Sequence, residues 1–142
     1  MNAPPPPRRP GVPIGPLIAS IGAVMLIVSL FLDWYHQITG FTVFEFLDLL
    51  LVMLALATIA SLAGGLGLVR AAPSRGVSLA VAIFTVYVVA SQVINDPPAV
   101  AGHAGPGKDV GIWLALGGSV LMVIGAGLAY ARISLEVESR ER

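Results

Sequence analysis

The stretch IGPLIASIGAVMLIVSLFL, residues 14–32, holds no charged side chain and is built mainly of Ile, Leu, Val, Ala and Gly. At a rise of about 1.5 Å per residue, a helix of that length covers roughly the 30 Å hydrocarbon thickness of a bilayer. Pro13 and Pro16 suit a first helical turn. Asp33, Trp34 and Tyr35 close the stretch, and indole and phenol rings favour the headgroup level. Arg8 and Arg9 precede it, as they would in a secretory leader. The apolar run is longer than a leader needs and no small-x-small cleavage pattern follows Leu32, so an uncleaved anchor is expected.

Three further runs of the same kind follow. The second opens at 45 and reaches 69, with Glu45 and Asp48 in its first turns and an uncharged stretch from 49 onward. Arg70 closes it, and a short basic turn holding Pro73 and Arg75 leads to the third run, 77–94. Asn95, Asp96, Pro97 and Pro98 stop that run, because the residue before a proline is pushed out of helical geometry. A segment rich in breakers (Gly102, His103, Gly105, Pro106, Gly107) joins it to the fourth run, 110–131. The spacing predicts an all-α protein, a four-transmembrane-helix antiparallel bundle occupying 12–133. Residues 1–11, with five prolines, read as a disordered Pro-rich tail, and residues 134–142 as a charged, solvated tail.

Composition agrees. Of 142 residues 56% are hydrophobic and 11% charged, where soluble domains carry about 25% charged residues. The formal net charge is zero, so there is no basic field to attract nucleic acid. With no cysteine, disulfides, thiolate nucleophiles and iron–sulfur ligation are excluded.

Orientation follows from the positive charges. Arg8, Arg9, Arg70, Arg75, Arg132, Arg140 and Arg142 fall on one side of the predicted membrane domain and Lys108 alone on the other. Short cytoplasmic segments carry the excess of Lys and Arg, so both termini are expected in the cytoplasm, with the protein in the plasma (inner) membrane.

Because apolar side chains gain little by leaving lipid for one another, small residues that let backbones approach are the expected packing positions. Ala57, Ser61 and Gly65 recur every four residues in the second run, as do Gly111, Ala115 and Ser119 in the fourth, followed by Gly127 and Ala131. Gly65, Gly67 and Leu68 can be set against Gly125, Gly127 and Leu128, but three common residues do not establish a repeat.

Glu45 and Asp48, three apart on one helical face, are the candidate cation or proton site. Ionisable groups next to hydrocarbon ask for a reason, and Asp33, His36, Asp96, His103 and Asp109 fall on the same side. The plainer reading, which is preferred, is that both carboxylates reach the interface and complement the helix dipole. His36 and His103 lack metal-ligand spacing and read as solvated loop residues; no metal or cofactor is expected. Trp34, Tyr35, Phe41, Phe44 and Trp113 read as an aromatic belt at one interface and Tyr130 at the other. No histidine is placed to activate a serine or threonine within the runs, and Gly64, Gly65 and Gly67 lack a phosphate-loop spacing, so catalysis is not expected.

Leu30, Phe31, Leu32, Asp33, Trp34 and Tyr35, with Phe44, Glu45 and Phe46 opening the next run and Gly111, Ile112 and Trp113 the last, resemble small four-span membrane proteins of high-GC Gram-positive bacteria. In those, an apolar helix ends in a Pro-Trp-Tyr-like motif and a Trp-Glu-x-Phe-like element begins the next. Asp33 and Phe44 replace the frequent proline and tryptophan. The resemblance implies a multi-pass bacterial membrane protein and brings no activity with it. The functional expectation is a non-enzymatic membrane protein working by association, as an accessory subunit of a membrane complex or as a homo-oligomer. The alternative is a small cation or proton transporter or channel subunit using Glu45 and Asp48.

Overall fold

The computed structural model describes residues 13–35, 38–43, 46–70, 72–95 and 107–140. The protein is mostly helical. In chain order the described residues form α1 (Ile14–Leu30), β1 (Asp33–Tyr35), β2 (Ile38–Thr39), α2 (Gly40–Val43), α3 (Leu47–Gly65), α4 (Arg75–Ile94) and α5 (Val110–Arg140). Three helical segments, Leu47–Gly65, Arg75–Ile94 and Val110–Ala131, are long and apolar enough to cross a membrane; α1 is apolar and somewhat shorter, at 17 residues. The tail at 1–11, Glu45 and the 96–106 connection lie outside the described residues.

Local chemistry sets each helix end. Pro13 takes an extended conformation before α1, and Pro16 sits in the first turn, where a missing N–H does no harm. The second apolar run was expected to reach 69, but α3 ends at Gly65 because Gly67 adopts φ +75. The Gly67 N–H then donates to Gly64 O at 3.0 Å and the Leu68 N–H to Ala63 O at 2.8 Å, the paired bonds of a Schellman cap. α4 begins two residues before the expected 77, since Ser74 caps it by accepting from the Val77 N–H at 3.3 Å. α5 runs past the expected 131 to Arg140. No glycine or proline follows Gly127 to stop it.

The core is a seam between α1 and α5, which pack on each other more extensively than any other pair. They run antiparallel: Gly15 lies against Gly125 and Ala129, and Gly22 against Gly118 and Met122. A Cβ on Gly118 would stand 2.7 Å from Gly22 O, and one on Gly15 would stand 2.7 Å from Ala129 N. No side chain fits there, so the two backbones meet directly, the close approach that membrane helices use in place of a hydrophobic drive. Ala19, Ala23, Leu26, Ala115, Met122 and Ala126 fill the flanks, all buried. Next in extent come α4 against α5 and α3 against α1. α3 is the peripheral helix, with 17% of its apolar window buried against 39% for α5.

Between α1 and α3, residues 33–35 and 38–39 pair as a short ribbon and 40–43 form the one-turn helix α2. β1 and β2 pair antiparallel, with Asp33 opposite Thr39 and Tyr35 opposite Ile38. On its other side β1 meets the residues before α5: Tyr35 bridges to Lys108, and the Asp109 N–H donates to Trp34 O at 3.0 Å. The Phe31 and Phe41 rings meet edge-on at a centroid distance of 5.0 Å, bracing α2 against the end of α1. The two ends of the molecule therefore differ. One carries this hairpin; the other carries Arg70, Arg75 and the α3–α4 turn.

Candidate functional site

At the hairpin end, Trp34 and Tyr35 were expected to lie in an aromatic belt among headgroups, yet both are fully buried within the protein. Each polar tip has an internal partner. Trp34 Nε1 donates to Ser29 O at 2.8 Å, a second bond to a carbonyl that also accepts from the Leu32 N–H at 3.1 Å, and the Tyr35 hydroxyl donates to Gln92 O at 2.7 Å near the end of α4. A large ring whose polar atom is satisfied inside gains more from packing than from a place at the interface. Gly111 allows this closure, since a Cβ there would stand 2.6 Å from Asp33 O. Trp113 and Tyr130 are exposed, as a belt requires.

Asp48 sits in the first turn of α3, half-buried, with its Oδ1 accepting from the Leu49 N–H at 2.6 Å. The carboxylate thus meets a donor that the helix start leaves unpaired and lies at the positive end of the dipole. Glu45, its proposed companion, is outside the described residues, as are His36, Phe44, Asp96 and His103. Asp33 is exposed and Asp109 half-buried. Among the described residues no group of three or more His, Asp or Glu side chains is placed to hold a metal ion.

The small-residue stripes part company. Gly111, Ala115 and Ser119 are all buried, whereas Gly127 meets nothing within 4 Å and Ala131 is exposed. On α3 the buried positions are Leu51, Ala55 and Thr58; Ala57 and Ser61 are half-buried and Gly65 is exposed. Ser61 still makes the link between α3 and α4, its hydroxyl 2.7 Å from that of Ser78. The glycines at which α1 and α5 meet, Gly15, Gly22, Gly118 and Gly125, were not singled out as packing positions in the sequence. Their signal is a seven-residue interval repeated in both helices, which a search at intervals of four passes over.

Most other hydroxyls turn back on their own helices: Ser29 to Leu26 O, Thr58 to Leu54 O, Thr85 to Val81 O and Ser119 to Leu116 O. Ser20 Oγ is buried with no partner among the described residues. At the arginine end, a cavity of about 250 Å³ opens between α1, α3, α4 and α5. Pro13, Pro16, Ala19, Ala126 and Ala129 form its apolar wall, Thr58, Ser61 and Ser78 its hydroxyl side, and Arg75 is the charged residue among the described lining.

These features define a helical protein with three membrane-length helices, a sealed end and an end with a cavity. Comparison with protein-family profiles, characterised proteins and solved structures returns no match, so the reading of its role rests on this geometry.

Proposed function

We propose that the protein is a four-span membrane protein of the bacterial plasma membrane that acts by association, as an accessory subunit of a membrane complex or as a homo-oligomer. α1, α3, α4 and α5 are its crossings, and both termini lie on the cytoplasmic side with Arg70 and Arg75. The seven-to-one division of Arg and Lys supports that orientation. α1 spans about 25 Å, and a crossing this short is accommodated by local thinning of the bilayer or by the apolar Phe31 and Leu32 beyond its end.

The observation that carries the association reading is the state of α3. Its apolar window is 17% buried, against 22% for α4 and 39% for α5, and it presents Leu49, Met53 and Leu56 outward beside the α1–α5 seam. That outward apolar face is what a second protein would cover. The cation or proton reading draws no support from Asp48, whose carboxylate is engaged by the Leu49 N–H. Purification of the tagged full chain in mild detergent, with crosslinking before extraction, tests the proposal. A second copy or a stoichiometric membrane partner is expected, crosslinked through α3; a strictly monomeric particle with no co-purifying protein contradicts it.

A further inference from the structure

The cavity at the arginine end has a composition that asks for a particular occupant. Its deep wall is apolar, from Pro13, Ala19, Ala126 and Ala129, and its volume is about 250 Å³. The hydroxyls beside that wall are already committed: Thr58 donates to Leu54 O, and Ser61 and Ser78 bond to each other and to Ala57 O and Ser74 O. Arg75 is different. It lines the cavity, is exposed, and makes no ion pair or side-chain hydrogen bond among the described residues.

Charge adds direction. Asp33 and Asp109 belong to the hairpin end, and Asp48 opens α3 at the helix terminus opposite the arginine turn. Arg70 and Arg75 are thus the charged side chains described at the cavity end. α4 also starts there, with Ser74 as its cap, so the positive end of its dipole adds to the guanidinium. An apolar pocket with a cation at its mouth matches a molecule with an apolar chain and an anionic head, and cytoplasmic leaflets are rich in such lipids.

We propose that this cavity seats one anionic phospholipid of the surrounding bilayer, its phosphate against Arg75 and part of an acyl chain against the alanine and proline wall. The inference rests on the membrane-spanning reading and goes beyond association. A bound lipid here fills the gap between α1, α3, α4 and α5 that the described side chains leave open.

The test uses the full chain in nanodiscs of phosphatidylcholine and phosphatidylglycerol in equal parts, released and weighed by native mass spectrometry. The wild type is expected to retain phosphatidylglycerol over phosphatidylcholine by about five-fold, the preference one basic side chain near an anionic surface supplies. Arg75→Gln should bring the two lipids to parity, Arg75→Lys should keep most of the preference, and Arg70→Gln, outside the cavity, should leave it unchanged. Inorganic phosphate at millimolar concentration should not displace the lipid. Equal retention by the wild type, a preference that survives Arg75→Gln, or displacement by inorganic phosphate would each overturn the proposal, the last by making the site one for a soluble anion. A chain that fails to enter nanodiscs would instead overturn the membrane reading on which the proposal depends.

Discussion

The hairpin end and the arginine end of this molecule close the same bundle by different means. At the hairpin end two aromatic side chains are folded inward, each hydrogen-bonded to a backbone carbonyl, and β1 pairs with strand on one side and with the residues before α5 on the other. At the arginine end α1 and α5 still meet at Gly15, Gly125 and Ala129, but one hydroxyl pair joins α3 to α4, and beside it lie a turn, a cavity and exposed charge. Direct burial of side chains leaves little there to rearrange. A cavity beside a lightly linked α3–α4 pair can take up a ligand or yield to a partner, so stability and interaction are divided unequally between the two ends.

Substitutions sharpen that comparison, and the largest effect is expected at Trp34. Replacing it with Ala empties a fully buried site and removes one hydrogen bond to Ser29 O, and should cost about 3–5 kcal/mol in reversible unfolding of the detergent-solubilised protein. Gly111→Ala forces a methyl against Asp33 O and should cost about 1–3 kcal/mol, while Gly76→Ala at the other end meets nothing within 4 Å and should be neutral or slightly stabilising. Tyr35→Phe keeps the ring and removes one hydrogen bond to Gln92 O, for a loss of about 1 kcal/mol. Ser61→Ala removes the α3–α4 link, and hydrogen bonds between membrane helices average only about 0.6 kcal/mol. If Ser61→Ala proved as damaging as Trp34→Ala in the same titration, the contrast between the ends would be lost.

The long apolar helices were legible in the sequence because apolar runs of that length have few other destinies, and each run overlaps one helix. Their boundaries moved for local reasons. Gly67 ended α3 early through a left-handed residue, Ser74 started α4 early through its hydroxyl, and the absence of a breaker after Gly127 let α5 continue. The hairpin was not legible. Strands of two and three residues exist only because Trp34, Gly111 and Lys108 are brought together by the helices, and no local pattern announces that. The aromatic-belt rule knows that Trp and Tyr favour interfaces but not which way Trp34 turns; Ser29 O, five residues back, decides it. The cavity was equally hidden, since its walls come from four helices and residues as far apart as Pro13 and Ala129. Asp48 was found as a first-turn carboxylate, and its engagement with Leu49 is the kind of detail that only coordinates supply.

The central claim is that these helices cross a bilayer four times, with the arginine end and both termini in the cytoplasm. The natural chain has no cysteine, so single cysteines report position without background. With Asn2→Cys, Arg70→Cys, Gly107→Cys and Arg142→Cys made separately, a membrane-impermeant maleimide applied to intact cells should label only the Gly107→Cys protein, and the other three only after permeabilisation. Labelling of positions 2 and 142 from opposite sides, or of all four in intact cells, would contradict the account.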